Sequence, residues 1–221
     1  MLKQVGMLFT LLVAMVGCAS SALTGPHRFE SSIVAFEKRD AQNPPPANPI
    51  LFVGSSTIRF WNLEEAFPGS PVLNRGFGGS EVSDVLTYYD RVVARYRPRV
   101  IVFYSGDNDL AAGKSPTQVA ADVCQFIQSV RQTLPPETRL IIIGVKPSIA
   151  RWNLIEEGRE TNRMVSDLVA ADRRAIFIDV SPQVLGADGH PRAELFRGDG
   201  LHFGPMGYEI LNEAVRPYVV R

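Results

Sequence analysis

The sequence predicts an α/β fold, a parallel sheet held between two layers of helices, on three observations. Five short apolar runs recur, at Ile50 to Val53, Pro71 to Leu73, Val100 to Tyr104, Leu140 to Val145 and Ala175 to Val180, and their continuous, β-branched character suits strands covered on both faces. The segments between them are long enough for crossover helices, and several show helical periodicity rather than hairpin chemistry, which makes the strands parallel. The chain has 221 residues, 45% hydrophobic and 21% charged, enough to bury one core as a single domain.

The first element lies outside that domain. Lys3 precedes an apolar run, Met7 to Val16, too short to span a bilayer but of signal-peptide length. The run ends in Met15-Val16-Gly17-Cys18, which resembles the bacterial lipobox, although Met15 stands where Leu is usual. The expectation is a signal peptide over residues 1–17, lipidation of Cys18, a tether over 18–28 and one domain over 29–221. An ordinary secretory signal cut near Ala19 to Ala22 is the alternative, and either exports the chain, to the periplasm or the exterior of a bacterium.

Within the domain, a short amphipathic segment (Phe29, Ile33, Phe36) and a stiff connector from Asn43 to Pro49 lead into the first strand. A helix opens near Ser80, carries Val82, Val85, Leu86, Tyr89, Val93 and Tyr96, and stops before Pro98. The clearest helix starts at Ser115-Pro116-Thr117-Gln118, a capping box with Pro at the first helical position, and ends at Pro135-Pro136. A third covers Glu156 to Ala171. The last opens at Gly204-Pro205 and aligns Tyr208, Leu211, Val215 and Val219.

Composition removes several functions. Lys plus Arg number 23 and Asp plus Glu 23, with no long basic run, so no nucleic-acid partner is expected. The two cysteines, Cys18 and Cys124, make no disulfide framework, and no Cys/His spacing suits zinc, so no structural or catalytic metal is expected. Cys124 reads as a buried small hydrophobe.

In a parallel sheet, ligands bind beyond the carboxyl ends of the strands. Three strands end unusually, in Gly54-Ser55-Ser56-Thr57, in Asn74-Arg75-Gly76-Phe77-Gly78-Gly79-Ser80 and in Ser105-Gly106-Asp107-Asn108-Asp109, while Asp199-Gly200-Leu201-His202 precedes the last helix. A Ser hydroxyl becomes a nucleophile when a His takes its proton and a carboxylate orients that His. Ser56, His202 and Asp199 fill those roles. The backbone N–H groups of Ser56 and Gly79 and the side-chain amide of Asn108 are candidate donors to an oxyanion, with glycine at 79 letting a donor approach substrate closely.

These four blocks, in this order, resemble the SGNH (GDSL-type) hydrolase family: Gly54-Ser55-Ser56, Gly79, Asn108 and Asp199-x-x-His202 match its Ser, Gly, Asn and His blocks. The resemblance extends from about Phe29 to Val219 and is nearest to bacterial members with NRGFGGS, GDND, KPS and DGLH strings. It is more distant to the catalytic subunits of intracellular platelet-activating-factor acetylhydrolase. It implies a flavodoxin-like strand order, 2-1-3-4-5, and hydrolysis of carboxylic esters by Ser56, His202 and Asp199 without a cofactor. Ser55 stands where the family has the Asp of its eponymous triplet, so the Ser56 turn must be supported differently. Short-chain, carbohydrate or lipid esters are the expected substrates. The rivals are transfer of the acyl group to an envelope sugar and a non-catalytic binding module on the same fold.

Each block also has a plain structural reading, as a helix cap, a tight turn or a surface ion pair. Ser55 is a minor rival as nucleophile, and Asp188-Gly189-His190 offers a competing base. Residues two apart in an extended segment stand about 6 to 7 Å apart, whereas residues three apart in a turn come together, which favours Asp199 and His202. Trp61 and Trp152 read as packing, and Arg59, Arg75 and Lys146 as solvated charge.

Overall fold

The computed structural model describes Gly25 and residues 27–220. The signal-peptide, lipidation and most of the tether expectations, Cys18 included, lie outside the described residues. Within them the fold is the expected one. Helix α1 (Glu30–Gln42) leads to β1 (Ile50–Gly54), short helices α2 (Ser56–Arg59) and α3 (Leu63–Ala66), and β2 (Val72–Gly76). Helices α4 (Val82–Thr87) and α5 (Tyr89–Val92) precede β3 (Val100–Tyr104), and α6 (Asp107–Ala111) and α7 (Pro116–Thr133) precede β4 (Arg139–Ile143). Then come α8 (Ile155–Ala170), β5 (Ala175–Ile178), α9 (Ser181–Val184) and α10 (Pro205–Val219). All pairings are parallel, in the order β2-β1-β3-β4-β5.

Side chains alternate across the strands and build two cores. Leu51, Val53, Ile101, Phe103, Leu140 and Ile142 pack against α1, α4, α5, α7 and α8 on one face. Ile50, Phe52, Val100, Val102, Tyr104, Ile141 and Ile143 pack against α2, α3, α9 and α10 on the other. The longest helix, α7, carries the expected box: Ser115 Oγ accepts Gln118 N–H (3.3 Å) and Gln118 Oε1 accepts Ser115 N–H (2.8 Å).

Several boundaries differ from expectation. Strand β2 continues through Asn74, Arg75 and Gly76, because each pairs with a residue of β1. The helix expected from Ser80 to Pro98 is broken at Tyr88 and again at Val93, whose backbone leaves the helical region. Asp84 closes a box with Glu81 at its start. The segment around Phe29 is a full helix of 13 residues, with Arg28 before it ion-paired to Glu81 and Asp84. Cys124 is half-buried.

Candidate active site

The turn after β1 is made by backbone. Gly54 has φ +139°, and a Cβ there would lie 1.9 Å from the Tyr104 carbonyl oxygen of β3, so only glycine lets the two strand ends come this close. Ser55 N–H donates to that carbonyl (3.0 Å), and Gly54 O accepts Phe77 N–H (2.9 Å). The chain then enters α2, placing Ser56 in its first turn, where backbone N–H groups have no acceptor within the helix. Asn74 ties the far end of α2 to β2, donating from Nδ2 to Ile58 O (2.7 Å) and accepting Gly76 N–H at Oδ1 (2.9 Å). The Ser55 hydroxyl is buried and takes no hydrogen bond from or to the described residues.

The segment Arg197–Gly204 is irregular and approaches from the other side. It closes on itself through Arg197 N–H to His202 O (2.8 Å) and Gly200 N–H to Arg197 O (2.9 Å). Asp199 Oδ1 accepts the N–H groups of Leu201 and His202, each at 2.9 Å, and Asp199 Oδ2 accepts Nδ1–H of His202 at 2.7 Å. The imidazole bond and the two backbone bonds hold the Asp199 carboxyl well below the usual carboxylate range, so it is ionised at neutral pH. With Nδ1 protonated, Nε2 is an acceptor, and it faces Ser56 Oγ at 3.1 Å. Phe60 packs edge-on against the imidazole, ring centroids 5.1 Å apart.

The candidate oxyanion donors sit beside this chain. Gly79 is exposed with φ +83°, and a Cβ there would meet nothing within 4 Å. The positive φ by itself favours glycine at 79, independently of the close approach of a substrate to its N–H expected from the sequence. Asn108 is in the first turn of α6 and donates from Nδ2 to Ser80 O (3.0 Å), against the same turn. Its neighbour Asp109 is fully buried and accepts Val82 N–H at both oxygens (3.1 Å) and Lys114 Nζ–H (2.8 Å). Burial pushes its carboxyl upward.

The second Asp/His pair is elsewhere. Asp188 and His190 are both exposed, Asp188 Oδ1 accepts only the His190 backbone N–H (3.0 Å), and the His190 ring rests on Trp152 at 4.9 Å.

Two charges expected in solvent are buried. Arg75 donates to Tyr96 OH (2.9 Å) and is ion-paired with Asp40. Lys146 donates from Nζ to Leu201 O (2.8 Å) and lies over the rings of Phe203 (5.0 Å) and Phe196 (5.7 Å). Burial brings its ammonium down to about 8, with Asp107 opposing the shift. Lys146 thus holds the carbonyl that separates Asp199 from His202 in the chain, a role its position after an apolar run hints at. Among the described residues no group of three or more His, Cys, Asp or Glu converges as a metal site.

Comparison with known proteins bears on the family and the fold. A family model described as GDSL-like Lipase/Acylhydrolase matches residues 56–210. The platelet-activating factor acetylhydrolase IB subunit alpha1 of Homo sapiens is 26% identical over 179 residues, 78% of this chain and 75% of its own. A GDSL-like lipase from Bacteroides thetaiotaomicron shares the fold at TM-score 0.70 and 16% identity, over 86% of this chain and 97% of its own. An acetylxylan esterase from Geobacillus stearothermophilus does so at TM-score 0.63 and 15% identity, over 80% of this chain and 97% of its own.

Proposed function

Because the chain belongs to the GDSL-like lipase/acylhydrolase family, we propose that it hydrolyses carboxylic esters through an acyl-enzyme at Ser56. The observation that carries this is the continuous chain Ser56 Oγ–His202–Asp199, at 3.1 and 2.7 Å. His202 Nε2 takes the Ser56 proton as Oγ attacks the ester carbonyl, then gives it to the leaving alcohol. Water, deprotonated by the same nitrogen, releases the acid. Asp199 stays ionised, fixes the tautomer and stabilises the transient imidazolium. The N–H groups of Ser56 and Gly79 and the amide of Asn108 receive the oxyanion, each worth about 2.7 to 4 kcal/mol by analogy with other hydrolases.

A short acyl group fits best. Of the five large apolar side chains exposed among the described residues, two border the base: Phe60 against the His202 ring, and Ile149 beside Gly200. They offer a small apolar rim. The acetylxylan esterase fold neighbour is consistent with acetyl esters as substrates.

Hydrolysis of p-nitrophenyl acetate tests the reading, with labelling by a fluorophosphonate probe. Label on Ser56 is expected, lost in Ser56→Ala. Label that persists there and vanishes in Ser55→Ala moves the nucleophile by one residue, and no turnover of any ester restores a binding module. Export, with acylation at Cys18, belongs to the same proposal. Mass spectrometry of the mature amino terminus should show a diacylglyceryl-modified Cys18, and a free terminus at a later residue makes the protein soluble after export.

A further inference from the structure

We propose that Arg151 is a positioning residue for the Asn108 amide, and that the segment from Lys146 to Arg151 braces both halves of the site. The proposal rests on the reading of Asn108 as an oxyanion donor.

A primary amide can sit either way round in its pocket, and only one way presents N–H to an anion. Both ends of Asn108 are engaged: Nδ2 donates to Ser80 O at 3.0 Å, and Oδ1 accepts from Arg151 Nη2 at 2.8 Å. Turning the amide over would set oxygen against the Ser80 carbonyl and NH2 against the guanidinium, replacing two bonds by two repulsions. Ser80 takes one of the two Nδ2 hydrogens. The second remains for the oxyanion.

The guanidinium is itself held. Arg151 Nη1 pairs with Asp107 Oδ2 at 3.1 Å, the two side chains being 21% and 8% exposed. Asp107 precedes Asn108 in the chain, so one guanidinium hydrogen-bonds Asn108 through Nη2 and attracts the Asp107 carboxylate through Nη1 as an ion pair without a hydrogen bond, a two-armed hold that a lysine point charge would give less well. A cationic donor on Oδ1 also polarises the amide and strengthens its N–H as a donor.

The same segment reaches the base. Lys146 donates to Leu201 O (2.8 Å), and Ala150 N–H donates to Gly200 O (3.1 Å). The loop after β4 therefore touches the Asp199–His202 turn through Lys146 and Ala150, and the oxyanion amide through Arg151.

The test is a double-mutant cycle on p-nitrophenyl acetate with Arg151→Met, Arg151→Lys and Asn108→Ala. Arg151→Met should lower kcat roughly tenfold with KM within about twofold, because orientation matters once charge develops on the oxygen. Arg151→Lys should restore part of the loss. In the Asn108→Ala background, Arg151→Met should cost nothing further. Equal losses in both backgrounds, or a change confined to KM, would overturn the proposal. Full activity of Asn108→Ala overturns the oxyanion reading beneath it. A slow Asn108→Ala beside an unaffected Arg151→Met overturns the positioning role alone. If Arg151→Met does not fold, Arg151→Gln takes its place in the cycle.

Discussion

The Ser56 turn and the Asp199–His202 loop meet at one hydrogen bond but are held in different ways. Ser56 follows an interior strand of the sheet, its neighbours Ser55 and Thr57 are buried, and the turn is secured by backbone bonds to β3 and the end of β2. Asp199 is exposed, its loop belongs to no helix or strand, and the Gly200–Leu201 stretch between Asp199 and His202 is held from outside by Ala150 and Lys146 of the loop after β4. Ser56 inherits the rigidity of the sheet, whereas Asp199 and His202 depend more on contacts from a neighbouring loop. Function at one hydrogen bond thus rests on two unequal supports, and substitutions on the two sides should differ in kind.

The largest effect removes the bond from either end. Ser56→Ala and His202→Ala should each reduce turnover by about 10⁴-fold or more without lowering the melting temperature, while His190→Ala stays within a few-fold. A dead His190→Ala with an active His202→Ala would reverse the assignment of the base.

Next comes the rigid side. Gly54→Ala places a methyl group 1.9 Å from a carbonyl oxygen at φ +139°, and should cost about 3 kcal/mol or more of stability, measured by urea unfolding. A variant as stable as the parent would show that the strand ends can part, and that the sheet does not fix Ser56.

Lys146 probes the other side through pH. Its ammonium titrates near 8 when folded, against 10.5 when exposed. Below 8 both states hold the proton, and the folded state carries the cost of the buried charge. Between 8 and 10.5 the unfolded chain keeps a proton that the folded one has released, so stability rises with pH and the gain is complete above 10.5. Over that window the parent should gain about 3 kcal/mol relative to Lys146→Met, and Lys146→Met should lose several-fold in kcat as the Leu201 carbonyl comes free. Parallel stability curves would mean that the ammonium is hydrated.

The smallest effect is at Gly200. It has φ +63°, and a Cβ would sit 3.1 Å from that of Ile149, so Gly200→Ala should cost about 1 to 2 kcal/mol and lower activity more than that loss of stability accounts for. Unchanged activity would show that the loop tolerates displacement.

What the sequence could show follows from range. The strands were legible because burial on both faces writes itself into consecutive residues, and α7 because its capping box is local. Ser56 and Asn108 were legible as short blocks after strands and the Asp199–His202 pair as one just before the last helix, and the bonds that join Asp199 to His202 span only three residues. Helices α2 and α6 were not, since four or five residues carry no periodicity. Arg75 and Lys146 were misread as solvated because their partners, Asp40, Tyr96 and Leu201, lie 21 to 55 positions away in the chain. Arg151 was invisible for the same reason, 43 positions from Asn108. Gly79 stands out as part of a glycine-rich block, but its positive φ is set by the turn and leaves no mark in the adjacent residues.

The chain has two tryptophans, and they fall one on each side of the site. Trp61, 3% exposed, donates from Nε1 to Asn212 of α10 and packs among Phe52, Phe67 and Tyr208, just beyond the helix that carries Ser56. Trp152 is half-exposed on the loop after β4, its ring against His190. The molecule therefore has two built-in fluorophores in different surroundings, the first shielded from acrylamide and emitting to the blue, the second open to quenching. Loosening of the loop changes the quenchable fraction while the shielded emission holds steady, so partial opening can be told from global unfolding by light alone, without a label.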